Sequence, residues 1–291
     1  MNKDYVIITD ATSDMSLPFI AQYQIEVIPM PFIIGEQEYT HYADGREMSL
    51  AAFYTRLRSG EVAGTAQINV ATYLASFEHT LQKGLDLIYV CFSSGLSGMI
   101  QSANVAIAEL KERYPERTIY CVDSLCASVG QGMLVSLAAL QKEAGLDIHQ
   151  LYQWLELKKL HLCHWFTVDD LHFLHRGGRV SKASAVAGSV LQIKPILHVD
   201  DDGHLIMMEK ARGRAKALET LIKHMKEDAV DLERQTIFIG HGDDAQRGEK
   251  LAKMIRDTVQ VKGIEVLPIG PVIGAHSGPG TIALFYIGQK R

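Results

Sequence analysis

Leu85-Asp-Leu-Ile-Tyr-Val-Cys-Phe-Ser-Ser-Gly-Leu-Ser-Gly98 is the stretch from which the fold is read. Residues 85–92 form a nearly unbroken apolar, β-rich run, as a strand buried on both faces requires. The turn at 93–98 follows at once, and 99–114 then carries helical spacing up to Pro115. Working outward, 5–8, 25–34 (interrupted by Pro29 and Pro31) and 118–122 read as further strands. Residues 50–58, 72–83, 131–144 and 148–160 read as helices, the third rich in small residues. Apolar strands separated by helices predict a mainly parallel sheet flanked by helices.

The second half follows another pattern. Residues 195–199 and 204–209 flank Asp-Asp-Asp-Gly at 200–203, the signature of a β-hairpin. Helices are expected at 215–226 and 245–258, strands at 236–240, 264–269 and 281–287. The reading is α/β: an N-terminal domain at 1–162 and a C-terminal α+β domain at 163–291, closely packed, since no flexible linker separates them.

The chain has 291 residues and a net charge of −5, with 47% hydrophobic and 22% charged residues. No basic stripe marks a nucleic-acid surface. No run reaches the roughly 18 apolar residues of a membrane helix, and the apolar stretch near Met1 is too short for a signal peptide. Cys91, Cys121, Cys126 and Cys163 form no Cys-x-x-Cys pair. Reduced thiols in a cytoplasmic protein are expected.

Three loops place small hydroxyl residues after a strand and before a helix, at 9–14, 93–98 and 123–128. Helix N-termini at the carboxyl edge of an open sheet suit an anion. Ser, Thr and Asp there also serve as ordinary N-caps. No Gly-x-Gly-x-x-Gly or P-loop pattern supports a nucleotide. Gly95-Leu96-Ser97-Gly98 has the strand-to-helix setting of a nucleophile elbow but not its spacing, so a serine-dependent, esterase-like hydrolase using Ser97 with His241 or His276, oriented by Asp123, is the enzymatic alternative. A phosphate- or small-molecule-binding regulator is a third reading. His161, Cys163, His164, His172 and His175 lack the paired spacing of a zinc site, and no metal is expected. Arg176, Arg179 and Lys182 surround the Gly177-Gly178 turn, read either as a helix stop with solvated charges or as an anion- or partner-facing patch. Residues 274–280 read as a Gly/Pro-rich loop carrying His276 and Ser277.

Seven segments, in order, are T-D-A-T-S-D (9–14), G-T-A-Q (64–67), F-S-S-G-L-S-G-M-I-Q-S-A (92–103), V-D-S-L-C-A-S-V-G-Q-G (122–132), F-L-H-R-G-G-R-V-S (173–181), L-Q-I-K-P-I-L (191–197) and I-G-P-V-I-G-A-H-S-G-P-G (269–280). Together they resemble the DegV family, the fatty acid-binding subunits of bacterial fatty acid kinase. The resemblance implies a DegV-like two-domain fold, the whole chain forming one unit. It implies a long-chain fatty acid as ligand, held in a tunnel between the domains, with no other cofactor. The family's carboxylate contacts fall on Thr65, Ser94, Ser97 (preferred of the two serines) and His276. Its partner-facing arginine falls on Arg176, with Arg212 a second candidate for the kinase-facing surface. The implied role is non-catalytic: presenting the carboxylate to a separate kinase catalytic subunit that makes an acyl phosphate, with transient membrane contact for ligand exchange. Two departures stand out. The family's Thr-Ser-Gln-Pro reads Thr65-Ala66-Gln67-Ile68, and its Ser-Asp-Leu-Pro is stretched to Ser13-Asp14-Met15-Ser16-Leu17-Pro18.

Overall fold

Strands β1 (Tyr5–Asp10) and β2 (Glu26–Ile28) begin the first sheet in a computed structural model that describes residues 4–181 and 192–291. Strands β3 (Met30–Ile34), β4 (Gln37–His41) and β5 (Ala63–Thr65) make a small antiparallel sheet ordered β4-β3-β5. Strands β6 (Asp86–Cys91) and β7 (Ile119–Asp123) complete the first sheet, ordered β2-β1-β6-β7 and parallel throughout. Every residue of β6 is buried, as its continuous apolar run requires.

Alternation along the strands divides the first sheet into two faces. Ile8, Leu87, Tyr89 and Cys91 pack with helices α3 (Val70–Gln82) and α4 (Met99–Arg113). Ile7, Ile88, Val90 and Val122 pack with α5 (Val129–Glu143) and α6 (Ile148–Lys158). Upstream lie α1 (Leu17–Tyr23), which has Pro in its first turn and no side-chain cap, and α2 (Leu50–Arg58), capped by the Ser49 hydroxyl.

A six-stranded mixed sheet is built from β8 (Leu162–Thr167), β9 (Ile193–Val199), β10 (Leu205–Arg212), β11 (Thr236–His241), β12 (Gly263–Pro268) and β13 (Ile282–Ile287), in the order β10-β9-β8-β13-β11-β12. All its pairings are antiparallel except β11 with β12. The expected hairpin is β9–β10. Trp165, Ile196, Leu284 and Tyr286 face helices α8 (Gly213–Asp228) and α9 (Ala245–Arg256), which follow the short α7 (His172–Arg176). Phe166, Leu197, Ala283 and Phe285 face α5 instead.

Helix α5 therefore lies between two sheets, which explains its composition. A Cβ on Gly130 would lie 2.3 Å from His164 Nε2, and one on Gly132 would lie 2.4 Å from the Ser13 carbonyl. Larger residues would push the layers apart.

Three features depart from the sequence reading. Helix α1 and the short strands β4 and β5 carry no long apolar run, and the sequence reading does not anticipate them. The strand expected at 25–34 is divided between β2 and β3, which belong to different sheets. Where a loop is expected at 274–280, Pro271–Ser277 is a helix (α10), with Pro at its start, where a missing N–H costs nothing. Glycine lowers its local propensity; burial of Val272 and Ala275 against α2 and β3 overrides that.

Candidate functional site

The three hydroxyl-bearing loops leave the carboxyl ends of β1, β6 and β7, adjacent strands of the first sheet. Each is fixed by buried polar groups. Asp10, fully buried, accepts from the Thr12 N–H at 3.0 Å and the Tyr89 hydroxyl at 2.7 Å, and Gln131 Nε2 donates to it at 3.3 Å. Burial pushes the Asp10 carboxyl above its ordinary range against those hydrogen bonds. Asp14 accepts from the Ser128 hydroxyl at 2.5 Å and the Gly270 N–H at 2.9 Å, joining the first loop to the starts of α5 and α10. Desolvation raises Asp14 to about 7. Asp14, Leu125 and Ser128 all have positive φ (48°, 51° and 55°), a conformation that non-glycine residues rarely adopt and that gathers at functional edges.

The middle loop is held from the other sheet. The Ser93 hydroxyl donates to the Gly203 carbonyl at 2.9 Å in the β9–β10 turn, and Ser93 O accepts from the Leu96 and Ser97 N–H groups. A Cβ on Gly95 would lie 2.7 Å from the Asp202 carbonyl, so glycine permits the approach. Ser97 is thereby presented at the start of α4.

Beside these loops, between the two large sheets, lies a cavity of about 990 Å³ of atom-free space, counting its open mouth. Its walls are mainly apolar: Phe92, Leu96, Phe166, Leu174, Val199, Leu205, Ala283 and Phe285 all contribute. Two of the polar groups in its wall meet directly. Thr65, the last residue of β5, and His276 of α10 lie with Oγ1 and Nε2 2.9 Å apart, and Ser97 lines the same cavity. Burial, then the charges of Arg179 and Arg176, lowers His276 to about 4, so its ring is neutral at pH 7. The cluster offers neutral donors inside an oily channel.

Of the residues singled out from the sequence, Thr65, Ser97 and His276 are thus brought to one cavity. Ser94 is exposed and outside that lining; its N–H donates to Asp123 Oδ1 at 3.1 Å. Arg176 is exposed at the end of α7, its guanidinium 4.9 Å from the Phe173 ring centroid. Arg212 is exposed at the end of β10, away from the lining. Arg179, rather than Arg176, lines the cavity, and its guanidinium donates to the Gly177 carbonyl. Lys182 falls outside the described residues. Ser277, singled out with His276 in the Gly/Pro-rich segment, also lines the cavity, and its Oγ is buried without a hydrogen-bond partner.

Among the described residues the side chains named for a serine hydrolase are engaged elsewhere. His276 bonds to Thr65, and two arginines beside it disfavour the imidazolium that a general base must become. Asp123 is occupied by the N–H groups of Ser94 and Leu125, and His241 Nδ1 accepts from the Asp244 N–H. Among the described residues no His/Cys/Asp/Glu group is arranged to hold a metal, and no helix is long and apolar enough to cross a membrane.

A family model described as "Uncharacterised protein, DegV family" matches residues 4–289. A DegV domain-containing protein of Clostridium perfringens is 41% identical over 289 residues, 99% of each chain. The crystal structure of DegV, a fatty acid binding protein from Bacillus subtilis, is similar at 29% identity with a TM-score of 0.82, covering 99% of this chain and 100% of that one. A fatty acid-binding DegV family protein from Thermus thermophilus is similar at 26% identity with a TM-score of 0.88, covering 98% and 99%.

Proposed function

The chain belongs to the DegV family, and from that premise we propose that it is a non-catalytic carrier of one long-chain fatty acid. The acyl tail occupies the cavity between an N-terminal domain (1–162) and a C-terminal domain (163–291). The carboxylate is held by Thr65, Ser97 and His276. The observation that carries this reading is the pairing of a mainly apolar cavity with a neutral, hydrogen-bonded Thr65–His276 pair in its wall. Each buried methylene contributes about 0.8 kcal/mol, so about fifteen contribute on the order of 12 kcal/mol before the cost of immobilisation. An ionised carboxylate in such a place is tolerable only when hydrogen-bonded, and hydroxyl and imidazole donors meet that need without attacking it.

The bound acid is presented to a separate ATP-dependent kinase catalytic subunit, which forms the acyl phosphate. Arg176 and Arg212, both exposed, face that partner; Arg176 supports this role best, since its charge already acts on His276. The carrier works in the cytoplasm and touches the membrane transiently to exchange ligand. Organic extraction of the purified protein followed by mass spectrometry is expected to release a long-chain fatty acid, and the stripped protein to rebind it saturably. No extractable acid together with no saturable binding would overturn the proposal. Incubation with the kinase subunit and ATP is expected to consume the acid only when the carrier is present.

A further inference from the structure

We infer that Phe285 is the end wall of the acyl cavity: its ring separates that cavity from a second, open cleft and so sets the longest chain the carrier accepts. The inference rests on the fatty-acid reading above and assigns that reading a specificity-determining residue.

Strand register carries the argument. Thr281, just before β13, lines the cavity, and its hydroxyl donates to the Ser277 carbonyl at 2.9 Å, beside His276. Ala283 and Phe285 follow on the same face and also line it, whereas Ile287, the next in that alternation, does not. From Thr281 to Phe285 the chain advances four residues, about 14 Å at about 3.4 Å each. The neighbouring strands stop at the same level. His164 lies opposite Phe285, and Val199, one residue past the His198 that faces Trp165, pairs with Leu205. These line the cavity, and Leu162, opposite Ile287, does not.

Past Phe285 lies another hollow, a cleft with about 1920 Å³ of atom-free space, counting its open mouth, bordered by α1, α5, α6 and β11. Three structural routes lead into it from the cavity, and all cross at one place. Along β13, Ile287 lines the cleft. Across the ladder, Phe238, the β11 partner of Phe285, lines it too. On α5, Ser128 at the N-cap lines the cavity, Gly132 and Met133 line the cleft, and Gly130 lies between them. The Phe285 ring fills this crossing and is 3% exposed. A Cβ on Gly130 would lie 2.7 Å from its Cδ1, and one on Gly240 of β11 would lie 3.5 Å from its Cε2. Backbone on the helix and on the adjoining strand thus holds the ring in place, and close packing makes it a firm stop. Each methylene short of the ring gains burial; a longer chain must displace the ring or leave methylenes in water.

The test uses the delipidated full chain and straight-chain saturated acids of increasing length, read by calorimetry. In the wild-type protein affinity is expected to rise with length to a limit and then fall. Phe285→Leu thins the partition and keeps it apolar; it is chosen over Phe285→Ala, whose larger void costs the fold more. In that variant the limit moves to longer acids, and the first acids beyond the wild-type limit gain roughly tenfold, while shorter ones bind much as before. Phe238→Trp fills the cleft side of the crossing. Alone it leaves the length profile unchanged, and combined with Phe285→Leu it restores the wild-type limit, a reversal that general loosening of the core would not give. A limit that stays put in Phe285→Leu, or one that moves and is not restored by Phe238→Trp, overturns the proposal. Failure of the wild-type protein to bind any acid in the series would instead overturn the fatty-acid reading, and the two failures are distinct.

Discussion

Gly177 and Gly178 are adjacent, and the structure assigns them opposite tasks. Gly177 has φ −72° and ψ −8°, a conformation open to any residue. A Cβ there would lie 2.2 Å from His276 Nδ1. An ordinary contact needs about 3.4 Å or more, so in Gly177→Ala the imidazole must retreat by roughly 1 Å. The push comes in the plane of the ring, with the added Cβ 3.1 Å from Cε1 and 3.2 Å from Cγ, and drives Nε2 toward Thr65 Oγ1, already only 2.9 Å away, so the imidazole must swing aside and the pair loses its hydrogen-bond geometry. Losing one hydrogen bond to a charged head group costs about 1.5–3 kcal/mol, or roughly 10- to 150-fold in Kd. Gly178 has φ +74° and nothing within 4 Å of where an added methyl would sit, so Gly178→Ala strains the backbone by about 1 kcal/mol without touching the site. Fatty acid titration of the delipidated variants, paired with chemical denaturation, separates the effects. Gly177→Ala is expected to lose affinity while largely keeping its stability, and Gly178→Ala the reverse. Wild-type affinity in Gly177→Ala, or the affinity loss falling on Gly178→Ala instead, would refute the assignment of His276 as a head-group contact.

Other expectations follow from the same geometry. Thr65→Val keeps the shape of the side chain within β5 and removes its hydroxyl; its ability to distinguish a fatty acid from the methyl ester should fall about tenfold in a competition assay. Ala283→Phe narrows the cavity wall, so affinity in a chain-length series should shift to shorter acids, each excluded methylene costing about 0.8 kcal/mol. Gln131→Ala withdraws a donor from Asp10 and an acceptor from Thr12; denaturation should register a loss of about 1–3 kcal/mol. Burial lowers His41, His198 and His276 to about 4 from an ordinary 6.5, so between those values the unfolded chain binds more protons. Stability from these three is complete above about pH 6.5 and lost as pH falls toward 4. Asp14, raised from an ordinary 3.8 to about 7, and Asp10, also raised, act in the opposite sense, Asp14 across the whole of that range, but are fewer. The denaturation midpoint should be lower at about pH 5 than at about pH 7, and an equal or higher midpoint would contradict this balance.

The residues differ in how openly they announce their places. Residues 85–92 disclose β6 because a strand covered on both faces must be apolar throughout. The small residues of α5 hint at a helix packed on every side, though not that Gly130 and Gly132 meet different layers. Helix α10 is hidden by its glycine content, since its stability comes from burial and from the Asp14 bond to Gly270, groups 256 residues apart. Thr65 ends a three-residue strand that no periodicity marks, and its partner His276 is 211 positions away. Local patterns cannot reveal such a pair; the ordered family motifs name both. The same motifs point to Arg176, whereas the turn geometry gives the cavity wall to Arg179.

The distance in sequence between Thr65 and His276 also bears on when the proposed head-group site is complete. During vectorial synthesis the first parallel sheet and its helices can form while α10 is still unmade, and the strand bearing Thr65 waits for an imidazole made 211 residues later. Closing so wide a loop is slow compared with local folding. On the proposed role, a nascent or truncated chain lacking α10 would offer an oily cleft with no clasp for an acid, so retention of ligand would report that α10 has been made and has packed against β5.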